Sequence, residues 1–256
     1  MTKKEDKILE ILDKIWIQKQ IAIPASMIMD GCSDEDLKPL VNGGYVYCYG
    51  DVNYSYAIGY AGVEYVTGME LNNYNDVIKI INEKTYESKV QKLNEPYWNR
   101  SYKTRWQYML PVIKILKNEK FRSILEIGAY KINYTNISHN MDLEEDFIDP
   151  DNKGNTQYIQ DAGDTPYEIP DKYYDMVLAC QTFEHFEGKQ PQAFQEIKRI
   201  ANQAIITIPW HWNCPSDKNH HNINETHCIK WFGDDYKDYV VKDEIKVNRR
   251  LLHFKF

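Results

Sequence analysis

The stretch SILEIGAYKINYT, residues 123–135, decides how this chain is read. A short apolar run carrying one acid, Glu126, ends in a glycine, Gly128, which predicts a strand running into a tight turn. A glycine there lets the backbone approach a ligand more closely than any side chain would allow. Loops that cradle a nucleotide usually hold several glycines. Here Tyr130 and Lys131 stand where a second one would be expected. Taken alone, the stretch fits either a cofactor loop or an ordinary strand that happens to end in glycine.

The chain downstream supplies the context. TQYIQD (156–161), YYDMVLAC (173–180) and QAIITIP (203–209) read as strands, and KQPQAFQEIKRIA (189–201) reads as a helix before the last of them. DYVVKDEIKVNRRLLHFKF (238–256) closes the chain as two strands in a hairpin. Short apolar strands alternating with helices predict an α/β domain with a mostly parallel sheet and an antiparallel last strand. The segment after Gly128 is too polar for a full helix up to residue 140, so the first crossover is expected to be a loop. In such sheets the ligand lies at the carboxyl ends of the strands, near the point where strand order reverses. The residues to inspect are therefore Glu126-Ile127-Gly128, Asp161-Ala162 and Ala179-Cys180-Gln181, the last followed by TFEHF.

In that order these segments resemble the class I S-adenosylmethionine-dependent methyltransferases. ILEIGAY resembles the first motif of the family, and IQDAGDTPYEIPDKYYDMVLACQTFEHF (159–186) carries the stronger likeness, with EIKRIANQAIITIP (196–209) following in register. The resemblance covers residues 123–256 and implies a Rossmann-like sheet, S-adenosylmethionine as cofactor and S-adenosylhomocysteine as product. It places Glu126 near the cofactor's amino group, with Gly128, Ala129 and Tyr130 forming an abbreviated loop. Asp161 would bond the adenine amino group and Ala162 would offer its backbone N–H, with Cys180 and Gln181 close by. An acid ending the second strand should accept the ribose hydroxyls. Asp142 in HNMDL and Asp149 in DFIDPD are both candidates, Asp149 having the better distance from Gly128 and Asp142 implying a short crossover.

Transfer to an oxygen acceptor calls for a general base. His185 follows the fourth strand. The loop after the fifth, WHWNCPSDKNHHNINETHCIKW (210–231), gathers His211, Cys214, Asp217, His220, His221, His227 and Cys228. That spacing matches none of the usual zinc patterns, in which ligands come in two close pairs, so no metal is expected. His185, His220 and His221 are the candidate bases, with Asp217 and Trp210 on the acceptor. The loop also resembles those of bacterial methyltransferases of carbohydrate and surface-polysaccharide pathways, which suggests a polar or sugar-like acceptor stacked on Trp210 and Trp212.

Residues 73–122 hold eleven Lys and Arg against five acids. They read as helices near 74–92 and 103–118 around NEPYWNRSYKTRW, a cap able to bring Tyr97, Trp98, Tyr102 and Arg105 to an anionic or hydroxylated ligand. Residues 1–72 read as three helices and a hairpin resembling a winged helix, but six lysines and no arginine face eleven acids there. A surface that contacts phosphates needs the opposite sign, so dimerisation or a substrate lid is expected instead. The net charge of −7 also argues against nucleic acid. No apolar run approaches the length of a membrane span, and five scattered cysteines suit a reducing cytoplasm. Three alternatives stay open: a macromolecular target held by the N-terminal module, a non-catalytic protein that binds S-adenosylmethionine, and a metal-dependent enzyme.

Overall fold

The structure, a computed structural model, describes residues 2–19, 28, 32–42, 46–49, 55–58, 78–119, 121–212, 222–238, 241–245 and 248–256. The chain divides into two compact units, Met1–Ile78 and Lys79–Phe256.

In the first unit, α1 (Lys3–Lys19) and α2 (Asp34–Asn42) accompany a two-stranded antiparallel hairpin of β1 (Val46–Tyr49) and β2 (Ser55–Ile58). Ile8, Leu9 and Leu12 recur at helical spacing and are buried together with Leu37 and Leu40. Lys4 pairs with Asp36 at 2.7 Å. Of the second helix expected over IAIPASMIMDG, only Ile28 falls among the described residues.

The second unit opens with α3 (Glu83–Leu93), α4 (Pro96–Asn99) and α5 (Tyr102–Asn118). Helix α3 begins at residue 83, where Asn82 caps it by accepting from the Thr85 N–H; of the helix expected near 74–92, residues 74–77 lie outside the described residues. Just upstream, Ile80 bridges to Thr135 and so ties this segment to the loop of interest.

Seven strands form one sheet: β3 (Ile124–Ile127), β4 (His139–Asp142), β5 (Gln157–Ile159), β6 (Tyr174–Cys180), β7 (Ala201–Pro209), β8 (Val241–Ile245) and β9 (Arg249–Lys255). Their order is β5-β4-β3-β6-β7-β9-β8. The first five pair in parallel, and β9 runs antiparallel to both β7 and β8. The last strand is thus inserted between its hairpin partner and the parallel strands. Strand order reverses between β3 and β6, which makes that junction the switch point.

Strand β6 is buried over six of its seven positions, the continuous apolar pattern of a strand covered on both faces. At its start Asp175 accepts from the backbone N–H groups of Arg122 and Ser123 and so sets the register of β3 beside it. Helix α6 (Gln190–Ile200) buries Ala193, Phe194, Ile197 and Ile200 along one stripe, with Phe194 against Phe254 at 4.8 Å. Helix α7 (Glu225–Phe232) adds Phe232 to the same cluster, and a short α8 (Asp235–Asp238) follows. The crossover from β3 to β4 contains no helix, as its polarity predicts.

Candidate functional site

The carboxyl ends of β3, β4, β5 and β6 open onto a groove of about 990 Å³ lined by Gly128, Tyr130, Asp142, Asp161, Ala162, Gln181 and His185. Gly128 has a φ of +67°, and a Cβ placed on it would lie 2.3 Å from the Thr182 hydroxyl oxygen. Both the backbone and the close approach of Thr182 demand glycine at this one position. Tyr130, Lys131 and Gln181 also take positive φ without being glycine. Such residues persist only where their surroundings hold them.

The contacts that hold this loop are visible. The Tyr130 ring meets Tyr97 at 4.6 Å and Phe147 at 5.0 Å, and the Trp98 indole N–H donates to the Tyr130 carbonyl at 3.1 Å. The Lys131 ammonium pairs with Glu95. Aromatic packing here does the work that further glycines and a helix would do in a longer loop.

Four acids were candidates for cofactor contact, and the structure divides them. Asp142 ends β4 and faces the groove, accepting weakly from the Tyr130 N–H at 3.4 Å and from the Leu143 N–H at 3.0 Å. Burial raises its pKa to about 6. Asp161 faces the same groove, with 45% of its side chain exposed, and accepts from the Gly163 N–H at 2.7 Å.

Asp149 is not brought to the groove. It is buried, pairs with Lys89 at 2.8 Å, accepts from the Asn133 N–H at 2.8 Å and caps a turn by accepting from the Asp151 N–H. Its lone pairs are committed to the crossover, which corrects its candidacy for the ribose hydroxyls. Glu126 is 2% exposed and accepts from the N–H groups of Tyr134 and Thr135 and from the Ser138 hydroxyl. Burial raises its pKa to about 7 against those hydrogen bonds. It lies in the wall of an adjoining recess, but its hydrogen bonds serve the loop.

That recess shares Tyr97, Gly128, Tyr130 and Gln181 with the groove and extends to Arg105, Tyr108, Ala129 and Cys180. Burial pushes the Cys180 thiol up to about 12, so it stays protonated and is no nucleophile. Tyr102 accepts the Tyr86 hydroxyl with its backbone carbonyl and lines neither cavity, which corrects its placement on a ligand. Trp210 is 8% exposed, with the Arg250 guanidinium 3.8 Å from its ring centroid. Its ring faces are occupied, so it does not offer an open face to a sugar.

Of the three candidate bases, His185 reaches the groove with 41% of its side chain exposed. His220, His221 and Asp217 lie outside the described residues. His227 is spent on a capping box at the start of α7 with Asn224. No group of three His, Cys, Asp or Glu suited to a metal ion occurs among the described residues. Thr182, Tyr108 and Arg249 were not singled out from sequence. Tyr108 stands three residues after Arg105 on α5, one helical face, and that spacing is the signal that could have found it.

The groove matches the needs of an adenosine-type ligand: a close-approach glycine, an acid at the end of the strand next to it, and a second acid one strand further. Residues 120–204 match the family model described as a methyltransferase domain. No curated protein matches the chain. Among solved structures, the chain is similar to the N-methyltransferase NodS from Bradyrhizobium japonicum WM9 in complex with S-adenosyl-L-homocysteine, at 12% identity and a TM-score of 0.46, covering 68% of this chain and 98% of that one. It is also similar to a SAM-dependent methyltransferase from Aquifex aeolicus, at 14% identity and a TM-score of 0.41, covering 65% and 97%. The methyltransferase domain of bacterial CtHen1 aligns at 12% identity and a TM-score of 0.43, covering 59% and 99%. The family match begins four residues before β3, runs into β7 and contains both groove acids, so residues 120–204 carry a methyltransferase domain, in keeping with the S-adenosylmethionine-dependent class that the motifs resemble.

Proposed function

We propose that this enzyme methylates an oxygen of a small polar, sugar-like acceptor. The observation that carries the reading is the convergence of Gly128, Asp142, Asp161 and His185 on one groove at the switch point. When bound, the cofactor supplies an electrophilic methyl group. Asp142 would accept ribose hydroxyls, and Asp161 with the Ala162 N–H would address the adenine. Positioning supplies much of the rate in such a displacement, and Thr182 crowds Gly128 to set that position. His185 would take the acceptor's proton as its oxygen becomes nucleophilic.

The macromolecular alternative finds no support in charge. The first unit is acidic, and a dimerising or lid role for it remains part of the proposal. No helix among the described residues is long and apolar enough to cross a membrane.

The test is calorimetric titration with S-adenosylhomocysteine, followed by a mass-spectrometric search for a product heavier by one CH₂ among polar metabolites. His185→Ala should lower turnover about 100-fold or more, the usual weight of a general base, and leave S-adenosylhomocysteine affinity nearly intact. Absence of cofactor binding would overturn the reading. Equal loss of affinity in His185→Ala would overturn the role of that histidine.

A further inference from the structure

Gln181, the residue after β6, lines both the groove and the recess. Its backbone takes a φ of +58° without being glycine, a conformation that persists only where the surroundings impose it. Here Thr207 of β7 imposes it. The Gln181 backbone N–H donates to the Thr207 carbonyl at 2.7 Å, and its side-chain Nε2 donates to the Thr207 hydroxyl at 3.1 Å. One neighbour thus holds the residue by backbone and side chain together. Thr207 is 1% exposed, so water does not compete for its hydroxyl.

A carboxamide offers two donor hydrogens at one end and an acceptor oxygen at the other. With Nε2 spent on Thr207, the Gln181 Oε1 is left to accept, and no group among the described residues donates to it. Strand order runs β5-β4-β3-β6-β7, so Asp161, Asp142, Gly128 and Gln181 follow one another across the sheet. Neighbouring strands lie about 4.8 Å apart, which puts Gln181 about 10 Å from the strand that ends in Asp142, beyond the reach of a ribose held there. His185 belongs to the same turn after β6, its N–H donating to the Thr182 carbonyl at 2.9 Å, and lines the same groove. The acceptor oxygen of Gln181 therefore stands on the side of the base, away from the nucleoside acids.

We propose that Gln181 determines acceptor specificity: its Oε1 accepts a hydrogen bond from a second hydroxyl of a polyol whose first hydroxyl gives its proton to His185, and Thr207 is the residue that positions it. The inference rests on the methyl-transfer reading above and narrows the acceptor of that same site to molecules with at least two hydroxyls. A site built to bond a hydroxyl rejects the analogue that lacks it, because its polar group is then left unpaired.

The test titrates the full-length protein, saturated with S-adenosylhomocysteine, with myo-inositol and with cyclohexanol, which keeps the ring and one hydroxyl. Wild type should prefer myo-inositol about tenfold or more. Gln181→Met keeps the length of the side chain and loses the acceptor, so it should weaken myo-inositol about tenfold and leave S-adenosylhomocysteine unchanged. Gln181→Glu has one oxygen for the Thr207 hydroxyl and one for the ligand, and should retain the preference. Thr207→Val releases the carboxamide from its orientation and should fall between wild type and Gln181→Met, which keeps the test open if the Met variant does not fold. A wild type without the preference, or a folded Gln181→Met that keeps it, would overturn the proposal. A Gln181→Met variant that weakens S-adenosylhomocysteine instead would move Gln181 onto the cofactor and overturn it equally. Absent binding of S-adenosylhomocysteine to wild type would register separately, as failure of the methyl-transfer reading and of this inference with it.

Discussion

Asp142 and Asp149 lie seven residues apart at the two ends of one short segment, and either could have served the same ligand. They do opposite things. Asp142 ends a parallel strand at the switch point and opens onto the groove. Asp149 is turned inward, where Lys89 and two backbone N–H groups claim its oxygens. Glu126 and Asp161 repeat the contrast: one carboxylate is spent on the crossover, and the other is half in solvent at the groove. An acid's role is set by what reaches its lone pairs first. In a crossover without a helix, backbone N–H groups need acceptors, and Glu126 and Asp149 supply them.

That division can be broken by mutation. Asp149→Ala should have the largest effect on folding, about 2–4 kcal/mol in urea denaturation, because it leaves the buried Asn133 N–H without its acceptor and Lys89 with only the exposed Asp151. Its loss of stability should exceed its loss of cofactor affinity. Unchanged stability with collapsed affinity would place Asp149 at the ligand after all. Gly128→Ala should cost about 1–3 kcal/mol, since it adds positive-φ strain to the clash with Thr182. Adding Thr182→Gly should recover the part due to the clash and leave the part due to φ.

Asp142→Asn should leave stability close to wild type and weaken S-adenosylhomocysteine about tenfold, the weight of a hydrogen bond to a charged group. Its pH dependence sharpens the point. The folded-state pKa of about 6 lies above the ordinary 3.8, so the folded chain holds this proton more tightly than the unfolded one. Asp142 therefore favours folding at low pH, and that contribution is lost as pH rises from about 4 to 6. Ligand binding runs the other way, because only the ionised form accepts two hydroxyls. Affinity should fall as pH drops through about 6, and the Asn variant should lose this dependence. Asp161→Ala should have the smallest effect, roughly 0.5–1.5 kcal/mol of binding, because its carboxylate stays half in solvent, which weakens a hydrogen bond to a charged group. An effect larger than that of Asp142→Asn would reverse the assigned order of the two groove acids.

The sheet was legible because strand and helix periodicities are local. YYDMVLAC reads as a doubly covered strand from its apolar run, and the polar residues after Gly128 announce a crossover without a helix. The order of Asp161-Ala162 and Gln181 pointed to the carboxyl ends of the strands, where these residues line one groove. Three readings differ from the structure, one through a local cap and two through contacts from farther along the chain. Helix α3 begins later than its periodicity suggests because Asn82 caps it. Trp210 is wrapped by Arg250 from the neighbouring strand, a contact across forty residues of chain. Tyr102 carries an aromatic ring in a basic stretch, yet its contact of note is through its backbone carbonyl.

What the sequence determined by itself is the alternation of elements, the glycine after β3 where the backbone turns left-handed, and the acids within reach of the strand ends. Each depends on residues close in the chain. Only the tertiary structure decided which acids meet a ligand cavity and which meet backbone. It alone brought Gln181 at the end of β6 to Thr207 in β7, although they lie far apart in sequence. The physical reason is desolvation: a charged group's worth depends on which partners share its burial, and those partners are assembled only by the fold.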